Sequence, residues 1–289
     1  MRDIPTSPRV IEIRHKRRAH LIRLIVLFSI LFISIIIALS YFSEDRHVVI
    51  DKITVTGTHI LNDKDVESQV FKDLSGKYIY LFSKSNTFIY PRKKIYKDLI
   101  SEFPRIETIS ISRLGLKALH IDITERKGVF LYCGADVPSD KNQVGENCYF
   151  INNDGFIFDK APYFSGNVYF KYYTALSGGV VNPLGTEMIS ADQFHRITRF
   201  IDTITTIGKF NPIYIVLGED DSDHLYLEHG PNDTTPEIIF KNDDDFSVVQ
   251  DNFSIAMKKI EFASEIKSKY NTLLYIDLRF KNKVLYKFQ

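Results

Sequence analysis

The chain has 289 residues with a formal net charge of +1 and 44% hydrophobic residues, a content that suits folded domains rather than a disordered chain. The charge is unevenly placed. Residues 1–23 hold seven Lys or Arg (Arg2, Arg9, Arg14, Lys16, Arg17, Arg18, Arg23) against Asp3 and Glu12, which leaves +5 there and −4 in the remainder. A mildly acidic remainder argues against nucleic acid as its partner. No internal repeat, low-complexity tract or sustained heptad pattern is present.

After the basic stub, Leu24 to Phe42 carries no charged residue, and its only polar groups are serines and a tyrosine. A helix of that length matches a hydrocarbon thickness of about 30 Å. The far flank opens Ser43-Glu44-Asp45-Arg46, so the basic side is expected to face the cytoplasm and the bulk of the chain to lie outside it. Ala38-Leu39-Ser40 is a weak small-x-small cleavage site, but the run exceeds the roughly 7–15-residue core of a signal peptide. An uncleaved anchor is expected. The stub needs no further partner, although anionic headgroups suit it.

Beyond the anchor lie about 245 residues, enough for two modest domains. Val48 to Gly57 alternates around Ile53 and Val55 and ends on glycine, as a strand entering a turn does. Asn62 is placed to cap a helix that begins with Asp63 and Asp65 and carries Val66, Val70 and Leu74 on one face, with Gly76 ending it. A short apolar stretch, Tyr78 to Phe82, follows. Pro91 suits a first helical turn, Ile95, Leu99 and Phe103 mark a second helix, and Pro104 stops it. Ile109 and Ile111 read as one strand. Leu119, Ile121 and Ile123, against His120, Asp122 and Thr124, read as its hairpin partner across Leu114-Gly115-Leu116-Lys117. The order over 48–126 is β-α-α-β-β, with two helices expected on one face of a three-stranded sheet.

From there on the chain mixes strands with two helices. Cys133 and Cys148 bracket a stretch, Gly134 to Asn147, rich in Gly, Asp, Asn and Pro. A disulfide between them would close a loop of roughly fifteen residues and contribute about 3 kcal/mol; free thiols are the alternative, and two cysteines without a nearby His pair fall short of a metal site. Ser190 and Gln193 fit a capping box, and Phe194, Ile197, Ile201 and Ile204 recur at helical spacing. Strands are expected over 213–217, 224–228 and 236–240. A longer helix is expected from about Asp245, with Val249, Phe253, Ala256, Ile260 and Ala263 on one face. Core packing explains these stripes more simply than partner grooves do.

Signatures of catalysis are missing. There is no Gly-x-Ser-x-Gly, His-Glu-x-x-His or phosphate-cradling glycine loop. Glu219-Asp220-Asp221-Ser222-Asp223-His224, with His229 nearby, is dense enough in oxygen to suggest calcium, yet it lacks the glycine and distal glutamate of an EF-hand, and a solvated turn is the simpler reading. Asp243-Asp244-Asp245 suits a helix N-terminus. Asp277 and Arg279, two apart, are expected on one face of a strand, free to pair with cross-strand neighbours. No catalytic residue, cofactor or metal is expected.

Several of these segments together resemble a known family. Ile53-Thr54-Val55-Thr56-Gly57, the capped helix at Asn62, Phe103-Pro104-Arg105-Ile106, and Ile121-Asp122-Ile123-Thr124-Glu125-Arg126 resemble a POTRA domain, most of all that of the FtsQ/DivIB division proteins. Tyr149 to Phe158 resembles the hairpin that opens the family's second domain, with Asn152 where an Asp is usual, so no role is carried over to it. Tyr275-Ile276-Asp277-Leu278-Arg279-Phe280, followed by Lys283-Val284-Leu285-Tyr286, resembles its closing strands. The resemblance implies an α+β protein made of a cytoplasmic tail (1–23), a transmembrane helix (24–42), a POTRA domain (48–126) and a C-terminal, mostly antiparallel β domain with two helices (127–289). It implies a non-enzymatic bitopic scaffold at the division septum of the cell membrane. Its partners would be FtsB/DivIC-like and FtsL-like coiled-coil proteins, bound through the outer β domain to control the septal peptidoglycan synthase complex. Strand addition at the last strands is the expected docking mode, with Tyr275, Asp277, Arg279, Phe280 and Lys283 lining or supporting the edge; an ordinary role within the sheet is the alternative for each. The runner-up functions are a POTRA-bearing envelope-assembly or export component, which would favour a C-terminal membrane β-barrel that is not seen, and a membrane-anchored hydrolase.

Overall fold

The computed structural model describes residues 8–138, 147–164, 167–179, 182–218, 222–228, 235–241, 246–280 and 283–289, with backbone alone for 8–16. The chain begins with one unbroken helix, α1 (Pro8–Ser43), of which Arg17–Ser43 is long and apolar enough to span a membrane. Its apolar side chains are exposed along the whole run, Leu27, Phe28 and Phe32 each by more than 60%. The side chains of the basic residues 2–16 lie outside the described residues.

Contacts divide the chain into two compact units, residues 1–102 with 106–125, and residues 103–105 with 126–289. The first unit takes in the N-terminal helix as well, and Phe103–Arg105 and Arg126 group with the second unit. The first unit follows α1 with β1 (Lys52–Thr56), α2 (Asp63–Leu74), the ribbon β2 (Lys77–Tyr78) and β3 (Phe82–Ser83), α3 (Arg92–Glu102), β4 (Ile106–Leu114) and β5 (Ala118–Glu125). Strand β5 lies in the middle of the sheet, parallel to β1 and antiparallel to β4. Alternation works as expected on β5, where Leu119, Ile121 and Ile123 are buried together with Val66, Val70 and Leu99 of the helices. Lys94 of α3 is ion-paired with both Asp73, buried at the end of α2, and Asp98. Pro91 precedes α3 rather than sitting inside it, and its carbonyl accepts the Ile95 N–H at 3.0 Å.

Two residues fix the path from β1 to α2. Gly57 has φ +82°, and a Cβ there would stand 2.0 Å from the Ile123 carbonyl oxygen, so only glycine fits. Glu125 Oε1 then accepts the backbone N–H groups of His59, Ile60 and Leu61 at 2.7, 3.0 and 2.9 Å. At the start of α2, Asn62 accepts the Lys64 N–H with its side chain, as its position promised.

The second unit is a large, mostly antiparallel sheet with helices on one face. Its elements are β6 (Phe130–Tyr132), β7 (Tyr149–Ile151), β8 (Phe156–Lys160), β9 (Lys171–Tyr173), β10 (Thr186–Glu187), α4 (Ala191–Thr206), β11 (Pro212–Leu217), β12 (Ser222–Leu227), β13 (Glu237–Lys241), α5 (Phe246–Lys258), α6 (Ile260–Ser268), β14 (Leu273–Asp277) and β15 (Leu285–Phe288). The sheet order is β10-β8-β7-β6-β9-β11-β12-β13-β14-β15. Ile215, Leu225, Ile238 and Ile276 share one apolar core with Phe194, Phe200 and Ile204 of α4, Phe253 of α5 and Ile266 of α6. In β7–β8, Asn152 builds the turn by accepting the N–H groups of Asp154 and Phe156 at 3.0 and 2.9 Å. Arg105 reaches Asp159 of β8 through Nε at 2.7 Å, and Arg126 donates to the Pro104 carbonyl at 3.1 Å while lying 4.4 Å over the Phe156 ring.

The long helix expected from about Asp245 is two helices, because the chain leaves helical geometry at Lys259 (φ −75°, ψ 114°). The break turns Ile260 outward, 84% exposed, and Ile266 takes up the core contact instead. Three helices therefore stand where two were expected. Cys133 and Cys148 are joined by a disulfide, with Cys148 buried among Leu131 and Ala161. Residues 139–146 of the bracketed loop lie outside the described residues.

Two measurements test these constraints. Glu125→Ala is expected to lower the stability of the first unit by about 2 kcal/mol, since three N–H groups lose a charged acceptor; faster hydrogen exchange at residues 59–61 reports it. Reduction of the Cys133–Cys148 bridge, or Cys148→Ser, is expected to lower the stability of the second unit by about 3 kcal/mol, read as an earlier thermal transition.

Candidate functional site

Alternation sorts the second unit's sheet into two faces. On the side away from the helices, register places Lys171 of β9 beside Tyr214, Tyr214 beside Tyr226, Tyr226 beside Glu237, Glu237 beside Tyr275, and Tyr275 beside Lys287. This is one row running across six strands. A second row joins Tyr173, Val216, His224, Ile239, Asp277 and Leu285. Tyr214 and Tyr226 stack along the first row with centroids 4.5 Å apart, and Tyr173 of the second row meets Tyr214 edge-on at 5.6 Å. The Tyr173 hydroxyl is buried without a hydrogen-bond partner, and burial, with Tyr214 adding to it, pushes its ionisation up to about 12. Among the described residues all three helices pack on the opposite face, so this aromatic and charged face carries none.

The face ends in a charge network. His224 Nδ1 pairs with Glu237 Oε2 at 2.9 Å, and that bond raises the imidazole above its usual value. Arg279 does not lie on β14. It follows the strand and folds back, donating from Nε and Nη2 to Asp277 at 3.0 and 2.7 Å, and reaches Ser222 Oγ at 3.4 Å. Burial works to raise the Asp277 carboxyl, but the bonds from Arg279 outweigh it and hold it below the usual range. The expected shared strand face for these two residues is thus replaced by a direct ion pair across the strand's end.

The expected docking residues separate into three kinds. Tyr275 and Asp277 lie on β14, an interior strand between β13 and β15, and Asp277 is 4% exposed. Arg279 buttresses Asp277. Phe280, 46% exposed, and Lys283 stand outside any strand, at the turn leading to β15. The edge itself is β15. Tyr286 faces the helices and donates to Glu265 at 2.8 Å, whereas Leu285 and Lys287 extend the two open rows. Lys171, Tyr214, Tyr226 and Glu237 were not singled out from the sequence. Tyr214 and Tyr226 are the polar phase of the alternation over 213–217 and 224–228, and Glu237 falls in the strand expected over 236–240, whereas Lys171 lies on a three-residue strand with no period to mark it.

Asp223 stands on the helix side of β12, fully buried. One oxygen accepts the Gly218 N–H at 3.2 Å and the other has no partner. Burial raises its carboxyl to about 7, opposed by the Gly218 bond and by His224. Glu219, Asp220, Asp221 and His229 of the acidic cluster, and Asp243 to Asp245, lie outside the described residues. Among the described residues no group of His, Cys, Asp and Glu is arranged for a metal ion. A pocket of about 610 Å³ opens between α4 and α6, lined by Ile207, Phe210, Met257, Ile266 and Tyr270; its described lining contains no His, Cys or Ser.

Neither family models nor curated proteins give a match to this chain.

Asp223 and His224 make stability depend on pH. Both hold protons more tightly folded than unfolded, so the stabilisation is present below their unfolded values of 3.8 and 6.5 and is lost as pH rises through the folded ones. For Asp223 that loss spans the range up to about 7. Asp223→Asn is expected to raise the second unit's melting temperature at about pH 8 and to leave it nearly unchanged at about pH 4, in paired thermal scans.

Proposed function

We propose that the chain is a bitopic, non-enzymatic scaffold of the FtsQ/DivIB type that docks small coiled-coil division proteins on its second unit. The observation that carries this reading is β15. Among the described residues this strand closes one end of a ten-stranded sheet with nothing paired to its outer side, and it continues the aromatic and charged rows of the face that carries no helix. An unpaired edge offers N–H and C=O groups to an incoming strand, and the flanking side chains supply selectivity. Leu285 and Lys287 would meet the partner's side chains on one face, and Tyr286 and Phe288 on the other. Tyr275 and the Asp277–Arg279 pair support the edge from within.

Two further features support the same reading. The sequence order β1, α2, α3, β4, β5, apart from the short ribbon β2–β3, agrees with the β-α-α-β-β order read from residues 48–126. The N-terminal helix is long and apolar enough to hold the chain at a membrane, where lateral confinement raises its effective concentration near other anchored proteins. In this reading the basic stub is cytoplasmic and both units are extracytoplasmic, at the septum. The docked FtsB/DivIC-like and FtsL-like partners pass the signal on to the septal peptidoglycan synthase.

Affinity capture of the full-length chain from its own membrane tests the proposal. Small single-pass coiled-coil proteins are expected, and their loss is expected in Leu285→Asp with Lys287→Glu at an unchanged melting temperature. Capture unaffected by that pair of replacements would remove β15 from the interface. Depletion in cells is expected to give filaments with unfinished septa; loss of outer-envelope proteins would point to assembly or export, and altered wall fragments to hydrolysis.

A further inference from the structure

The ribbon β2–β3 is fastened along the last turns of α1. Lys77 is ion-paired with Glu44, the first charged residue after the apolar run. The Ser83 N–H donates to Ser43 Oγ at 2.7 Å, and Asn86 Nδ2 donates to the Ser43 carbonyl at 3.1 Å. Ser40 Oγ donates to the Leu81 carbonyl at 2.6 Å. From Lys77 to Leu81 the ribbon thus passes from Glu44 back to Ser40, which lies within the uncharged run. At about 1.5 Å of rise per residue, that is a descent of roughly 6 Å along the helix.

The tip of this descent is Ile79-Tyr80, closed by the Leu81 N–H on the Tyr78 carbonyl at 2.9 Å. Both residues are left-handed, with φ 48° and 62°. Two successive positive φ angles make a mirror-image hairpin turn, the geometry that Asn-Gly adopts most readily and a β-branched residue least. Both side chains also point away from the protein, 82% and 94% exposed. An isoleucine and a tyrosine are thus held in a costly turn with nothing of the described protein against them, at the level where the membrane-length helix ends. Tyrosine is suited to the headgroup layer, with its ring toward the chains and its hydroxyl toward water, and isoleucine to the layer beneath. Lys84, 5.9 Å from the Tyr78 ring, and Lys77 flank the ribbon with the cationic side chains that such a layer accepts.

We propose that Ile79 and Tyr80 insert into the interfacial layer of the bilayer beside the last turn of α1, giving the first unit a second membrane contact. This rests on the reading of α1 as a transmembrane helix and is independent of any division partner. The chain contains no tryptophan, so a single introduced one reports alone. Full-length Tyr80→Trp, Phe28→Trp and Ile60→Trp are reconstituted in vesicles of phosphatidylethanolamine and phosphatidylglycerol with and without brominated acyl chains. Phe28 is within α1 and Ile60, 69% exposed, follows the far end of β1. The expected result is loss of emission to bromine at 28 and at 80, with a blue shift at 80, and none at 60. Quenching at 28 without quenching at 80 overturns the proposal and leaves the transmembrane reading intact. An unquenched 28 overturns both. Equal quenching at 60 and 80 overturns the specific role of the tip. Matching circular dichroism of the three variants excludes misfolding as the cause.

Discussion

Period-two alternation along β11 and β12 is the constraint on which the second unit depends. Ile215 and Leu217 on one strand and Leu225 and Leu227 on the next all turn toward the helices, so the tyrosines between them turn away. A slip of one residue would bury Tyr214, Tyr226 and Glu237 and expose the core, which makes register here strongly specified. The same alternation leaves a face without helices. Tyr214, Tyr226 and Tyr275 are half-buried on it and Tyr173 is fully buried, so its rings are too apolar to be indifferent to water and too polar to be an ordinary core. Asp223 departs from this order, being a carboxyl in the core phase with one oxygen unpaired, and its cost is tolerated at the end of a strand.

The first unit is organised around backbone rather than side-chain packing at its most demanding point. The sheet and helices bury enough aliphatic surface to fold, but the link from β1 to α2 works only because Gly57 passes against the Ile123 carbonyl and Glu125 gathers the N–H groups beyond it. Both constraints come from β5, the central strand. It therefore sets the sheet and the loop together, and damage to its C-terminal end would be felt at the start of α2.

Legibility of the fold varied with the kind of signal. Local chemistry read well: the Asn62 cap, the Ser190–Gln193 cap, the alternation of β5 and the glycine hairpin at 115 all act through neighbours within a few residues. The break at Lys259 left no such mark, since an apolar stripe continues through it and neither proline nor glycine interrupts it. Strands β6, β9 and β10 are two or three residues long, too short for a period to register. The candidate site was half legible. Tyr275 and Asp277 were visible because they sit in a contiguous motif, Tyr275 to Phe280, whereas Lys171, Tyr214 and Glu237 join them only through pairings between distant strands. Arg279 was misplaced because a two-residue spacing implies a shared strand face, and the strand stops at Asp277.

The buried contacts of Ser43 have a mechanical consequence. The helix runs unbroken to that residue, which is then held by Ser83 and Asn86 and is itself 4% exposed. A unit joined to a membrane helix by a slack linker samples a hemisphere of orientations. In the transmembrane arrangement proposed above, one clamped at the exit point would turn chiefly with the helix, about the bilayer normal. Encounters with another anchored protein would then be a search over azimuth rather than over tilt and rotation together.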